Sequence, residues 1–346
     1  MTGTREFKLV HPSDEDWNEY VLHHPDGNIF QNVFLGKVYR KTKNHESICI
    51  AVTDSNDTIL AGMQVIIIKE LAILGSLSAR AIIQGGPLFE NSENGVAAMQ
   101  VLIRHYDKIA GGKVLFTDIR NMWDTSKYSD VFDRNGYIYE PHLNYVNNLE
   151  KDQFKKFSKK RRYGITKAQR EGVVVEEVES EQLIPTVYQF LHETYSNAKL
   201  PVVDVSFFKA LMDILKSRGL AKVFLAKHEN NYIGTIVVLL YKNSIYDLCA
   251  GASRKHLNLY PNDILPWHLM EWGLNNGYSV FDFGGAGNPE EEYGVRDFKK
   301  QFGGELENFG RYKKVHSPKK LWLIKSMFTV YRYSILPLIN KIKSAK

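Results

Sequence analysis

Cysteine is nearly missing from this chain. Two residues in 346, Cys49 and Cys249, stand far apart with no CxxC or Cys/His cluster around them. That excludes a disulfide framework, a zinc finger or an iron–sulfur centre, and a reducing compartment is expected. Long apolar runs are missing too. No uncharged stretch approaches the ~18 residues of a membrane-spanning helix, and Met1–Val10 lacks the apolar core of a secretory signal. A cytoplasmic location is the expectation. The patterns GxSxG, HExxH and GxxxxGK[ST] are absent, which removes the best-marked hydrolases, metalloproteases and P-loop enzymes.

Acidic residues run out at Glu307, whereas ten Lys and Arg follow it. The net charge of +6 is therefore concentrated at the C-terminus, and the rest of the chain is slightly acidic. A second basic cluster holds Lys151, Lys155, Lys156, Lys159, Lys160, Arg161, Arg162, Lys167 and Arg170. Such patches attract polyanions; the alternative is a solvated helix face. Lys159, Lys160, Arg161 and Arg162 are the candidates for nucleic-acid or phosphate binding. In the tail, Leu321, Trp322, Leu323, Ile324, Met327, Phe328 and Tyr331 alternate with Lys325 and Arg332, up to Lys343. This cationic amphipathic pattern over 319–343 suits an anionic membrane surface or a helix packed on the body.

What is present is an ordinary globular balance, 44% hydrophobic and 24% charged, in a length that suggests two domains. The chain also echoes itself. SICIAV (47–52) and ILAGMQVIII (59–68) form a predicted hairpin around the turn residues 54–57, and KVFLA (222–226) with YIGTIVVLLY (232–241) forms another. A third strand, a helix and a short strand ending on an aspartate follow in each half. The helices are expected at 91–110, stopped by Gly111-Gly112, and at 262–276. The final strands end on Asp118 and Asp282. The polar segment 150–172 is the natural junction, with helices expected at 154–171, 181–196 and 206–218. The prediction is a mixed α+β chain with domains at 1–150 and 151–316 and a basic amphipathic helix at 317–346.

Residues 281–312, FDFGGAGNPEEEYGVRDFKKQFGGELENFGRY, are the densest in chemistry. The Gly284-Gly285 pair lets backbone approach a ligand closely, but no helix opens after it, so a dinucleotide fingerprint fails. Consecutive Glu290, Glu291 and Glu292 point apart on any regular element, and no metal is expected. The strings FDFGG and YGVRDFKKQFGGE, with GNIFQNVFLGKVYRK near the start and KKFSKKRRYGITKAQREGVVVEE at the junction, resemble the Fem family of non-ribosomal aminoacyltransferases. The resemblance implies two tandem GNAT-like (acetyltransferase-type) domains. It also implies transfer of an amino acid from aminoacyl-tRNA, as co-substrate, to an amine of a peptidoglycan precursor such as lipid II or its UDP-linked form.

By that resemblance, Phe298 and Lys299 correspond to the pair associated with the tRNA acceptor end: Phe298 to stack on a base, Lys299 to neutralise a phosphate or the developing oxyanion. Core packing is the alternative for Phe298. Gln31 and Lys37 match the segment that holds the precursor phosphate. The loop SNAKLPVVDVSFF lacks the arginine relatives place there, leaving Lys199 as a substitute without a bidentate fork. From the residues themselves, Asp118 is a candidate to accept or orient the amine, or else a loop cap. Tyr246, by alternation with Leu248, and Asp282 are assigned to the substrate groove. The glycine loop that cradles CoA in single GNAT domains is replaced by His256–Pro261. Two rivals stand beside this reading: an N-acyltransferase using acyl-CoA on a polysaccharide or lipid precursor, and a non-catalytic RNA- or membrane-binding protein.

Overall fold

The computed structural model describes residues 6–69 and 78–322. Seven strands come first: β1 Lys8–Val10, β2 His45–Thr53, β3 Ile59–Lys69, β4 Ala79–Gln84, β5 Leu88–Phe89, β6 Phe116–Arg120 and β7 Ile138–Glu140. Then come β8 Leu143–Asn148, β9 Val174–Glu177, β10 Ala221–His228, β11 Asn231–Tyr241, β12 Ser244–Ala252, β13 Val280–Gly287, β14 Glu305–Asn308 and β15 Arg311–Val315. The helices are α1 Asp14–His23, α2 Val33–Lys41, α3 Glu93–Lys113, α4 Ser129–Arg134 and α5 Gln153–Lys156 in the first half. The others are α6 Lys159–Arg170, α7 Ile184–Asn197, α8 Val205–Ile214, α9 Pro261–Asn275 and α10 Gly294–Lys300.

Two sheets result, ordered β1-β2-β3-β4-β6-β15-β7, with β5 on β3, and β14-β8-β13-β12-β11-β10-β9. The echo in the sequence is a repeat of topology. In the first sheet β2, β3 and β4 pair antiparallel and α3 crosses over to bring β6 parallel to β4. In the second, β10, β11 and β12 pair antiparallel and α9 brings β13 parallel to β12. The chain is thus mixed α/β with two GNAT-like units. Two strands cross between them: β8, before residue 150, belongs to the second sheet, and β15, near the chain's end, is inserted between β6 and β7 of the first.

Local departures have local causes. The helix expected to stop at Gly111-Gly112 continues to Lys113, because both glycines stay helical and Met99, Leu102, Ile103, Tyr106 and Ala110 hold α3 on the sheet. The expected helix 154–171 is broken at Phe157, whose extended backbone buries its ring, and restarts at Ser158, whose hydroxyl caps Arg161 N. The tail beyond residue 322, including most of the expected amphipathic helix, lies outside the described residues. Among the described residues, no helix is long and apolar enough to cross a membrane.

Each sheet has its own core, α3 over the first and α6 with α9 over the second. A third core is shared. Trp17 and Val21 of α1 and Leu35 and Val38 of α2 pack with Leu191 of α7, Phe207 and Leu211 of α8, and Val237 and Leu239 of β11. On the far side, α6 closes on α9 at Gly164, where a Cβ would sit 2.2 Å from an oxygen of Asp263. There Arg161, expected on an RNA-binding face, is buried instead. Its guanidinium pairs with Asp263, donates from Nε to Gln301 Oε1 at 3.2 Å and lies over the rings of Phe298 and Phe302 at 4.6 and 5.7 Å. Burial pushes the Asp263 carboxyl up to about 6 against the pull of Arg161. Removing one partner strands a charge in the core. Arg161→Ala is therefore expected to cost about 3–5 kcal/mol in chemical denaturation, while substitution of the exposed Lys160 on the same helix by Ala stays within about 0.5 kcal/mol of the parent.

Candidate active site

β12 and β13 run together only over Ser244–Tyr246 against Val280–Asp282 and then part. A register shift between Val237 and Val238 adds one residue to β12 at this point, so Tyr246, Asp247 and Leu248 all line the opening gap. On β13 the Phe-Gly-Gly sequence makes the opposite wall. Gly284 has φ +70° and its N–H donates to Asp282 Oδ1 at 2.6 Å, which turns the neighbouring carbonyls toward α10. Lys299 Nζ donates to Phe283 O at 2.6 Å and to Gly285 O at 2.7 Å. An ammonium has three N–H donors, so one is left for a ligand.

The first sheet closes the space. Phe30, Tyr39, Gln84, Arg120, Asn121, Met122 and Arg311 complete a cavity of about 360 Å3 with Lys299, Asp247, Asp282 and His142. Adjoining cavities of about 710 and 250 Å3 share its walls at His142, Gly285 and Arg311 and at Met122, Tyr246 and Asp282. A larger cavity, about 870 Å3, lies at the outer end of α1 and β5 and is lined by carboxylates and histidines without a lysine or arginine. The space between the sheets brings buried cations and carboxylates of both units together.

Burial dominates the electrostatics there. It pushes the Asp247 carboxyl up to about 7, with Asp282 adding to the rise and Lys299 opposing it. It pushes Asp282 up to about 6, against the Gly284 N–H and Lys299. It also depresses Lys299, whose charge the two aspartates support. His142 is pushed down to about 4 by burial and by Arg311 and Arg120. It is therefore neutral, and its Nε2 accepts from Arg311 Nη2 at 2.7 Å.

The structure brings together Lys299, Asp282 and Tyr246 of the residues singled out from sequence. Tyr246 also stacks edge-on against Phe30 at 5.5 Å. The others stand apart. Asp118 is not in the cavity wall: its Oδ2 accepts from Arg120 Nε at 2.8 Å and lies 3.9 Å from Arg311 Nη1, so it holds the two arginines rather than facing an amine. Phe298 turns away and packs on Phe302 beneath Arg161. Gln31, expected at the substrate, is fully buried; it accepts from Gln64 N at 2.7 Å and donates to Gln84 O at 2.8 Å. Lys37 pairs with Asp14 at 2.6 Å and lines a separate cavity with Arg40, Lys41 and Arg218. Lys199 sits in an exposed turn with φ 55°. Lys159 and Lys160 are exposed, and Arg162 is half-buried with Nη1 on Lys155 O. Among the described residues, no group of three or more His, Cys, Asp or Glu is placed to hold a metal ion.

Sequence reading missed Asp247, Arg120, His142 and Arg311. Asp247 was visible as the lone carboxylate in the otherwise uncharged strand SIYDLCAGA. Arg120 stands at the end of β6, and His142 and Arg311 reach the cavity because β8 and β15 cross between sheets. Asp247 also has a stability consequence. Its carboxyl titrates higher folded than unfolded, so folding pays a penalty that is absent near pH 3 and complete above about pH 7. Asp247→Asn is expected to unfold later than the parent at pH 8, by on the order of 2 kcal/mol, and to match it near pH 3, as read by thermal melts at the two pH values.

Comparison with known proteins agrees with this fold. An acetyltransferase (GNAT) domain model matches residues 155–300. A lipid II:glycine glycyltransferase of Staphylococcus haemolyticus (strain JCSC1435) is 30% identical over 94 residues, which are 25% of this chain and 22% of that protein. The match thus spans less than a quarter of the relative's length. Among solved structures, FemX aligns with TM-score 0.70 at 16% identity, covering 89% of this chain and 97% of its own. L-PGS from Bacillus licheniformis aligns at 0.55 and 15%, covering 93% and 96%. A tandem GNAT protein from the clavulanic acid pathway aligns at 0.57 and 11%, covering 91% and 100%. At such identities the structural likeness is one of fold. Two sheets on one plan, the GNAT match over the second of them and the glycyltransferase segment converge: the chain has an acyltransferase (GNAT) fold in two units, similar in architecture to FemX.

Proposed function

We propose that this protein is an aminoacyltransferase that moves an amino acid from the ester of an aminoacyl-tRNA to an amine of a peptidoglycan precursor, lipid II or a UDP-linked muropeptide, in the cytoplasm. The observation that carries the reading is Lys299. Its ammonium is clamped by two backbone carbonyls and keeps one N–H toward a cavity walled by both sheets. An aminoacyl ester is already activated, so the protein has to bring an amine against its carbonyl and meet the negative charge that develops on oxygen. Lys299 is placed for the second task. Arg120 and Arg311, held by Asp118 and His142, offer guanidinium forks to the anionic groups both substrates carry.

An ester donor is favoured over acyl-CoA by the start of α9, where a phosphate-cradling glycine loop would stand. The turn Arg254–Leu259 carries side chains there, Leu259 buried, and the first turn of the helix is occupied by the Arg161–Asp263 pair. The contact of residues 319–343 with anionic membrane is part of the same proposal.

The test is a matrix of charged tRNAs against lipid II and UDP-linked precursors, read by mass spectrometry. One combination should gain the mass of one aminoacyl residue, and Lys299→Met should lower its kcat about 10²–10³-fold. Products formed from acyl-CoA, and from no charged tRNA, would replace this reading with the CoA-dependent one.

A further inference from the structure

We propose that Asp247 is the catalytic base of this site, the group that takes the proton from the attacking ammonium. The assignment rests on the transfer reaction proposed above and names a residue for a step that reaction requires, since only a neutral amine attacks an ester.

The argument is one of availability within the cavity. Its titratable and charged groups are Tyr39 from α2, Arg120 from β6, His142 before β8, Tyr246 and Asp247 from β12, Asp282 from β13, Lys299 from α10 and Arg311 from β15. Tyr195 of α7 and Cys249 also face Asp247 electrostatically. Burial raises Tyr39, Tyr195, Tyr246 and Cys249, so all four stay protonated near neutrality. His142 has its Nε2 occupied by Arg311, and Arg120, Arg311 and Lys299 are cations. Asp282 has Oδ1 occupied by the Gly284 N–H. Asp118 lies behind the wall on Arg120. Among the described residues, Asp247 has no hydrogen bond or ion pair to its carboxylate, yet it lines the cavity with Lys299. It is the carboxylate with both oxygens open to a substrate.

The surroundings suit the role. Burial, with Asp282 beside it, makes Asp247 a base near neutral strength, where a proton is both accepted and released readily. The step balances. The substrate ammonium gives one proton to Asp247 and becomes an amine. Its nitrogen forms the C–N bond to the ester carbonyl carbon while the remaining N–H of Lys299 meets the oxyanion. The C–O bond to the ribose breaks, and the departing oxygen takes the second proton from nitrogen. Amide and hydroxyl leave, and Asp247 returns its proton to water.

The experiment is the pH profile of kcat/KM for the full chain, with Asp247→Asn and Asp247→Glu. The parent should lose rate below about pH 7, where Asp247 takes up its proton. Asp247→Asn should lower kcat about 10²–10⁴-fold with little change in KM and abolish that limb of the profile. Asp247→Glu should restore part of the rate. Carboxyl-¹³C aspartate labelling supplies a readout free of turnover: one resonance should titrate near pH 7 and vanish in Asp247→Asn. Transfer by Asp247→Asn with the limb intact, or with parental kcat, overturns the assignment alone. No transfer by the parent to any acceptor overturns the reaction itself.

Discussion

The candidate site depends on the apolar core that the two sheets share. Trp17, Val21, Leu35 and Val38 come from the first unit, and Leu191, Phe207, Leu211, Val237 and Leu239 from the second; all are at most 2% exposed. Parting the units would expose the side chains along the α2–α8 seam, at roughly 1.5–3 kcal/mol for each large one fully uncovered. The units therefore act as one body around the cavity. β15 adds to this by carrying Arg311 from the second unit's chain into the first sheet. A wall drawn from both units can hold its geometry only if the units do not slide.

Against that rigid frame, the cavity is the place where regular pairing is given up. β12 and β13 separate after three paired residues, and a β-bulge on one strand and a Gly-Gly on the other expose backbone carbonyls that a continuous sheet would hide. Those carbonyls are acceptors in need of a donor, and Lys299 supplies it. The same contact orients the ammonium. A side chain with about 2 kcal/mol of rotamer entropy is thus held in one place by the irregularity of the strand facing it.

The fold was legible in the sequence because hairpins, crossover helices and terminal aspartates recur in both halves, and periodicity reports such elements directly. Lys299 and Asp282 were legible because they lie in the densest motif, and Tyr246 because strand alternation sets it on the same face as Leu248. Gln31, Phe298 and Arg161 looked functional for reasons burial reverses. A polar side chain in a motif satisfies the backbone as well as it binds a ligand, and an arginine in a basic run can be the one that turns inward to an aspartate 102 positions away. Asp247, His142 and Arg311 depend on a bulge and on two strands that change sheets. The lone carboxylate of SIYDLCAGA marks Asp247 itself, but neither the bulge nor the crossings leave a local mark in composition or spacing.

The charges of the cavity are divided between its walls. The wall built on β6 and β15 presents Arg120 and Arg311 with Asp118 behind them, so its outward face is cationic. The wall built on β12 and β13 presents two carboxylates around one ammonium. An acyl ester on an anionic carrier and an amine on a peptide have opposite needs, one for guanidinium and the other for carboxylate. A single uniformly basic groove would attract the carrier and repel the ammonium. Under the proposed transfer, separate walls from separate sheets would let one cavity of about 360 Å3 take both, with Lys299 at the line where the walls meet. On the transfer reading, this is the physical use of having two units rather than one.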